Sequence, residues 1–144
     1  MESMDYDEKV RYLRGYSRSL HEINSILDRI DELEALKYRL GGSVIKSHDV
    51  NQEKEKQLSI IGSIENLHHR AEKQLNELQN KLFEIEQSIK AVDNETQQSI
   101  LMYRYINDYS YKRIANKMYY SEDYIYVLHK KAIDDNEFIK DNGK

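Results

Sequence analysis

Apolar residues spaced alternately three and four positions apart predict that the first forty residues are helical. The series starts near Val10 and continues through Leu13, Tyr16, Leu20, Ile23, Leu27 and Ile30. Such a heptad repeat is typical of a coiled-coil seam. Two consecutive three-residue steps follow at Leu33, Leu36 and Leu40, a local overwinding that shifts the stripe. The pattern predicts one helix over residues 5–40, which Gly41-Gly42 ends because glycine readily takes the left-handed conformation.

A second heptad repeat predicts a helix of similar length over residues 52–92. Its apolar positions are Leu58, Ile61, Ile64, Leu67, Ala71, Leu75, Leu78, Leu82, Ile85, Ile89 and Val92. The segment at about 41–52 is polar and non-periodic, so residues 1–92 are expected to form an antiparallel coiled-coil hairpin. Each stripe needs cover, either from the other helix or from a second copy of the protein. We expect some of both, and therefore a homodimer.

Three shorter helices are predicted over residues 93–135. Asn94 is the expected cap of the first, with Gln97 placed to complete a capping box; Ser110 and Ser121 are the expected caps of the next two. The last helix, 121–133, has an apolar face that consists of Ile125, Leu128, Ala132 and Ile133. Short helices joined by turns of about three residues are typical of a helix-turn-helix. The predicted fold is therefore all-α: a helical hairpin, a three-helix head and a polar tail at 136–144.

Composition narrows the class of protein. The 144 residues contain no proline and no cysteine, which favours long helices and excludes disulfides and thiol nucleophiles. We find no run of eighteen apolar residues and no signal-peptide pattern in MESMDYDEKV, so neither membrane spanning nor export is expected. The chain is expected to be cytoplasmic.

Charge and tyrosine are both concentrated in the head. The formal charge is -4 overall, but residues 103–131 carry six Lys and Arg against three Asp and Glu, whereas residues 1–102 carry 14 against 19. Eight of the 12 tyrosines also lie between Tyr103 and Tyr126. We expect Tyr105, Tyr111 and Tyr120 to pack in the small core, and Tyr124 and Tyr126 to point outward. A local basic surplus is what a DNA-binding module needs.

The stretch ILMYRYINDYSYKRIANKMYYSEDYIYVLHKKAI resembles the promoter-reading C-terminal region of bacterial sigma factors. It is more similar still to the phage late-gene activator and autolysin-regulator family of Gram-positive hosts. The resemblance rests on Tyr103 to Ile106, Ser110-Tyr111, Ile114-Ala115, Tyr120-Ser121 and Leu128 to Ala132. It covers about forty residues, and the two heptad helices ahead of them are also similar to that family's architecture.

The resemblance implies that the last helix is a recognition helix that lies in the major groove. The DNA-facing residues it implies, with Lys131 added from the same basic run, are Arg113, Lys117, Ser121, Glu122, Tyr124, Tyr126, Lys130 and Lys131. Arg113 and Lys117 are the implied phosphate contacts. Tyr119 occupies the turn where many such motifs have glycine, at a cost of about 1 kcal/mol if its φ is positive. Glu122-Asp123 either accepts from a cytosine amino group or serves only to start the helix.

Other chemistry has little support in the sequence. His68-His69 are about 100° apart on a helix, and no His spacing matches a zinc site, so we expect no metal and no cofactor. We find no phosphate-binding loop or nucleophile motif, and we expect no enzyme activity. Three hypotheses remain: a DNA-binding regulator of phage or prophage late genes; a protein-interaction module that contacts RNA polymerase or another regulator without binding DNA by itself; and a phage packaging component.

Overall fold

The computed structural model describes residues 3–42 and 50–138, which fold entirely as α-helices and connecting turns. The six helices of these residues are α1 Tyr6–Leu13, α2 Gly15–Gly42, α3 Val50–Lys90, α4 Glu95–Tyr105, α5 Tyr111–Met118 and α6 Glu122–Asp135. The long helices α2 and α3 pack antiparallel as a hairpin, and the smaller C-terminal helices pack together. The predicted fold class is therefore confirmed. Most of the predicted 41–52 loop, residues 43–49, lies outside the described residues, as does the end of the predicted tail, 139–144.

The hairpin has its own core within the compact unit Leu20–Glu77. Its buried residues are Ile26, Ile30 and Leu33 of α2 and Ile64 and Ala71 of α3. Leu27 of the predicted seam is 44% exposed in the single chain, whereas the neighbouring Ile26 is buried. The buried series Ile23, Ile26, Ile30 advances by three and then four residues, so it stays on the narrow face that one partner helix covers. Leu27 lies about 100° away from Ile26 around the helix and falls at the edge of that face.

The predicted helix 5–40 is interrupted once. Arg14, with φ -76 and ψ -2, separates α1 from α2. Backbone hydrogen bonds from Arg14 N to Val10 O and from Arg18 N to Arg14 O, both 3.0 Å, continue the helical pattern on each side. Gly15 is buried, and a Cβ there would lie 3.6 Å from Ile85 Cδ1 and from Lys81 Cδ. These are ordinary van der Waals distances, so the start of α2 packs on the end of α3 with room for a methyl group at this position.

The head has a larger core than its three short helices supply. The second compact unit combines the described parts of Met1–Ser19 and Leu78–Lys144. Its main cluster joins buried residues of α1, α3, α4 and α6, of the turn between α3 and α4 and of the segment after α6: Tyr12, Leu13, Ile85, Ile89, Val92, Leu101, Tyr105, Ala132, Ile133 and Phe138. A second cluster, Ile100, Ile114, Ala115 and Ile125, joins α4, α5 and α6. The predicted domain boundary at residue 92 stays a prediction, but α1 and the end of α3 contribute directly to the core that supports α6.

Helix α1 also closes the C-terminal end of α6. Lys9 is 5% exposed, and its Nζ donates a hydrogen bond to the carbonyl oxygen of Ile133 at 3.1 Å. The same Nζ lies 3.6 Å from the Glu137 carboxylate. A cation at this end is favourable because the last carbonyls of a helix carry partial negative charge. Asn136, at the start of the predicted polar tail, donates to Ala132 O at 2.7 Å and satisfies a further carbonyl.

Candidate nucleic-acid interface

Short polar side chains set the starts of the three head helices. The side chains of Asn94, Ser110 and Ser121 accept hydrogen bonds from the backbone N–H groups of the third residue that follows each, at 3.0, 3.2 and 3.2 Å. All three predicted caps are confirmed. Ser121, a candidate DNA contact, therefore has its hydroxyl oxygen engaged at the start of α6. The predicted recognition helix 121–133 matches α6 to within two residues.

The second half of the predicted capping box does not form. Gln97 is buried, and its side chain extends to the end of α6 instead of back to Asn94. Its Nε2 donates to Asp135 Oδ2 at 3.2 Å, and its Oε1 accepts from Asn136 Nδ2 at 3.0 Å. This long-range amide pair ties α4 to α6, an interaction that the local Asn-x-x-Gln spacing cannot indicate.

The turn between α5 and α6 is built on a left-handed tyrosine. Tyr119 has φ 61 and ψ 39 and is 93% exposed. Its backbone N–H and that of Tyr120 both point back to the carbonyl oxygen of Ala115, the latter at 3.1 Å. This arrangement closes α5 in the manner of a Schellman motif, which usually has glycine at the left-handed position. The φ of Tyr119 is thus positive, at a cost of about 1–2 kcal/mol for a residue with a Cβ.

Two neighbouring rows of exposed side chains form what we call the outer face of α6. One row has the spacing i, i+4, i+8 and the other follows it one residue later, so each lies along one side of the helix. The outer face consists of Glu122, Tyr126 and Lys130 in the first row and Asp123, Val127 and Lys131 in the second, all of them exposed. Ile125, Ala132 and Ile133 are fully buried on the opposite side, as predicted. Every one of the eight candidate DNA-facing residues named from the sequence is exposed, since Arg113, Lys117, Ser121 and Tyr124 are exposed as well.

Ring contacts hold the tyrosines next to the outer face. The ring of Tyr126 meets that of Tyr111 edge-on, with centroids 5.6 Å apart and an interplanar angle of 82°. Tyr124 meets Tyr120 in the same way at 5.1 Å and 83°. The expected burial of Tyr105 is confirmed and Tyr111 is half-buried, but Tyr120 is 42% exposed and packs at the surface. Its position beside the left-handed Tyr119 directs it toward Tyr124 instead of into the core.

Two arginines stack on tyrosine rings at the start of α5. The Arg113 guanidinium carbon lies 3.9 Å from the ring centroid of Tyr109, and that of Arg104 lies 4.2 Å from the ring centroid of Tyr111. Arg104 Nη1 also donates to the carbonyl oxygen of Tyr109 at 3.0 Å. Such contacts stabilise by about 0.5–1 kcal/mol at exposed sites and limit the rotamers available. Arg104 was not among the predicted residues, because its role depends on how α4 packs against α5.

A buried histidine contacts two of the tyrosines that pack beneath the outer face. His129 is 2% exposed, with the Tyr105 hydroxyl 2.7 Å from Nε2 and the Tyr111 hydroxyl 3.3 Å from Nδ1. Burial, and secondarily the positive charges of Arg104 and Arg14, lower the pKa of His129 from 6.5 to about 4. Burial likewise raises the pKa of Tyr105 well above its usual 10. The neutral imidazole therefore has a phenol partner at each nitrogen, and one of these phenols, Tyr111, also supports Tyr126.

Within the part of the chain that the structure describes, the basic side chains around the outer face have no intramolecular counterion. Within residues 3–42 and 50–138, none of Arg113, Lys117, Lys130 and Lys131 forms an ion pair. Acidic side chains begin α6 at Glu122 and Asp123, where they are favourable for the helix dipole. The positive charge of the head is therefore available to an external anion along α5 and in the later turns of α6.

Among the residues that the structure describes, no group of three or more His, Asp or Glu side chains is placed to hold a metal ion. His68 and His69 are exposed on α3, in the hairpin. No helix among the described residues is long and apolar enough to cross a membrane.

Residues 40–137, from the end of α2 through α6, match DUF1492, a family described as a protein of unknown function. No curated protein and no solved structure gives a significant match. Because the matched residues are more than half of the chain, this protein belongs to the DUF1492 family.

Proposed function

We propose that this protein is a non-enzymatic regulator of transcription that binds double-stranded DNA and controls late genes of a phage or prophage. The observation that carries the proposal is the outer face of α6, an exposed helix surface with exposed cations on it and on α5, placed after a sharp turn at Tyr119. An α-helix of this kind fits the major groove, where the second motif helix of a helix-turn-helix lies. Late genes are proposed as the target because the sequence resembles that of phage late-gene activators.

The positively charged residues of α5 and α6 would contact different parts of the DNA. Arg113 and Lys117 lie four residues apart on α5 and would contact phosphates as that helix crosses the backbone. Lys130 and Lys131 lie in the last turns of α6 and would contact phosphates at the edge of the groove. Tyr126 and Val127, between these lysines and the acidic start of the helix, would face the bases.

A double lysine variant tests the proposal. We expect Lys130→Ala with Lys131→Ala to weaken binding to duplex DNA from upstream of the phage late genes by roughly thirtyfold at about 0.15 M salt, because each lost phosphate contact removes one released counterion. The slope of log K against log salt should become shallower by about two. The measurement is a fluorescence anisotropy titration at several salt concentrations.

A matched control is Lys54→Ala with Lys56→Ala, which removes the same charge from exposed positions on α3. This variant should bind like the parent. If the Lys130/Lys131 variant keeps the parent's helix content and also its affinity and salt slope, α6 is not the recognition helix.

The alternative is a protein-interaction module that contacts host RNA polymerase without binding DNA by itself. The exposed Tyr119 and the acidic pair Glu122-Asp123 favour it, because a large apolar ring is suited to a protein surface and carboxylates repel phosphates. Capture of polymerase together with no salt-dependent binding to any duplex would support this alternative over the first proposal.

We further propose that the hairpin pairs two copies of the chain. Apolar residues remain exposed on α3, with Leu58 at 67% and Leu75 at 45%. Sedimentation equilibrium should show a dimer at tens of micromolar, and Leu58→Glu with Leu75→Glu should shift it to a monomer, because two charges would then enter the apolar contact. A parent protein that sediments as a monomer would contradict the pairing.

A further inference from the structure

The first half of the outer face of α6 lacks the side chains that most often identify guanine and adenine. Arg or Lys pairs bidentately with guanine O6 and N7, and Asn or Gln pairs with adenine N6 and N7. Helix α6, Glu122–Asp135, contains no Arg, Asn or Gln. Its two lysines lie in its second half, away from the N-terminal turns that approach base edges in this motif. The first half of α6 therefore offers no side chain of the kind that pairs bidentately with a purine.

The middle of the outer face is apolar instead. Tyr126 is 55% exposed and Val127 is 58% exposed, adjacent to each other in the two rows. In the major groove, the apolar group available for such side chains is the 5-methyl group of thymine. Removing a methyl group and its apolar contact from water is favourable by the hydrophobic effect.

The Tyr126 ring is restrained before any contact with DNA. Its edge-on partner Tyr111 is fixed in turn by the His129 nitrogen and by the Arg104 guanidinium above its ring. A side chain that is already restrained loses less conformational entropy when it binds. The ring therefore presents a preorganised apolar surface beside Val127.

The carboxylates at the start of α6 also favour A·T pairs. Glu122 and Asp123 are exposed on the same two rows and are hydrogen-bond acceptors when ionised. Guanine presents only acceptors, O6 and N7, on its major-groove edge, whereas adenine and cytosine present amino donors. Guanine next to these carboxylates is thus disfavoured, and an A·T pair offers both an amino donor and a methyl group.

We infer that α6 recognises thymine 5-methyl groups through Tyr126 and Val127, so that the preferred operator is rich in A·T pairs at the positions facing the middle of the helix. This inference rests on the proposed DNA-binding function and adds the class of base that is recognised. It differs from recognition by minor-groove shape, since the 5-methyl group projects into the major groove.

The test compares duplexes that differ only in that methyl group. The probes are alternating dA–dT and alternating dA–dU duplexes of about 30 base pairs, long enough for two half-sites one helical turn apart. The parent protein should bind the dT duplex more tightly by about fourfold for each methyl group contacted. Tyr126→Ala with Val127→Ala should bind both duplexes equally, whereas Tyr126→Phe, which keeps the ring, should retain the preference.

The outcomes separate the two proposals. Salt-dependent binding of the parent with equal affinity for dT and dU duplexes would overturn methyl recognition and leave the DNA-binding function standing. A dT preference that persists in the folded Tyr126→Ala/Val127→Ala variant would also overturn it, because the preference would then arise elsewhere. Absence of salt-dependent binding to these duplexes and to late-gene DNA would overturn the proposed function itself.

Discussion

Lowering the pH from about 7 to about 4 should destabilise this protein by about 3 kcal/mol through His129 alone. Burial between Tyr105 and Tyr111 lowers the pKa of His129 from 6.5 to about 4. Between these two values the unfolded chain takes up a proton at this residue and the folded protein does not. The contribution to stability is therefore complete above about pH 6.5 and decreases steadily as the pH falls toward 4.

Urea unfolding at a series of pH values, for the parent and for His129→Gln, measures this contribution. Carboxylates also titrate below pH 5, so the difference between the two proteins, not either curve alone, isolates the histidine. His68→Gln provides a matched control, because His68 is exposed on α3 and its replacement should leave the pH dependence unchanged. An NMR titration in which His129 protonates near pH 6.5 would contradict the buried environment.

Leu13→Ala should destabilise the head by about 2–5 kcal/mol. Leu13 is fully buried in the cluster that joins α1, α3, α4 and α6. Truncation removes three apolar carbons from this core and leaves a cavity that the surrounding helices cannot fully close. Urea unfolding followed by circular dichroism would measure the loss.

Leu27→Ala makes the same chemical change at a residue that is 44% exposed on α2. It should cost less than about 1 kcal/mol, since little apolar area returns to water. Equal losses for the two variants would mean that α1 does not contribute to the head core. The comparison is informative because Leu13 lies outside the residues 40–137 that match the family, although it packs in the core beneath the candidate interface.

Local sequence signals predicted the helices well, because caps and amphipathic stripes act over one or two turns. Ser110 and Ser121 start α5 and α6 as expected, and Tyr119 lies in the turn between them as expected. Local signals failed where a distant partner decides the outcome. The position of α3 decides that Ile26 is buried and Leu27 is not. The side chain of Gln97 hydrogen-bonds to Asp135 at the end of α6 instead of to the start of its own helix.

The candidate interface was predictable in part for the same reason. Helical periodicity alone places Tyr126, Lys130 and Lys131 outward once Ile125 points inward, and the structure agrees. The support beneath that surface was not predictable: His129 has no distinguishing neighbours in the sequence, yet it contacts both Tyr105 and Tyr111. The arginine stacking on Tyr109 and Tyr111 similarly depends on tertiary packing.

The hydrogen bond from Lys9 to the carbonyl of Ile133 has a consequence for the order of folding. It joins residues 124 positions apart in the chain, and Leu13 shares a cluster with Ile133 across a similar separation. Closing so long a segment is entropically costly, and contacts of high sequence separation slow folding. During synthesis α1 leaves the ribosome long before α6 is made, so the apolar side of α1 cannot pack against α6 until then. The hairpin has a core of its own and can form first. Helix α6, which is proposed to contact DNA, is therefore among the last elements to reach its folded position, and contacts with α1 stabilise it there.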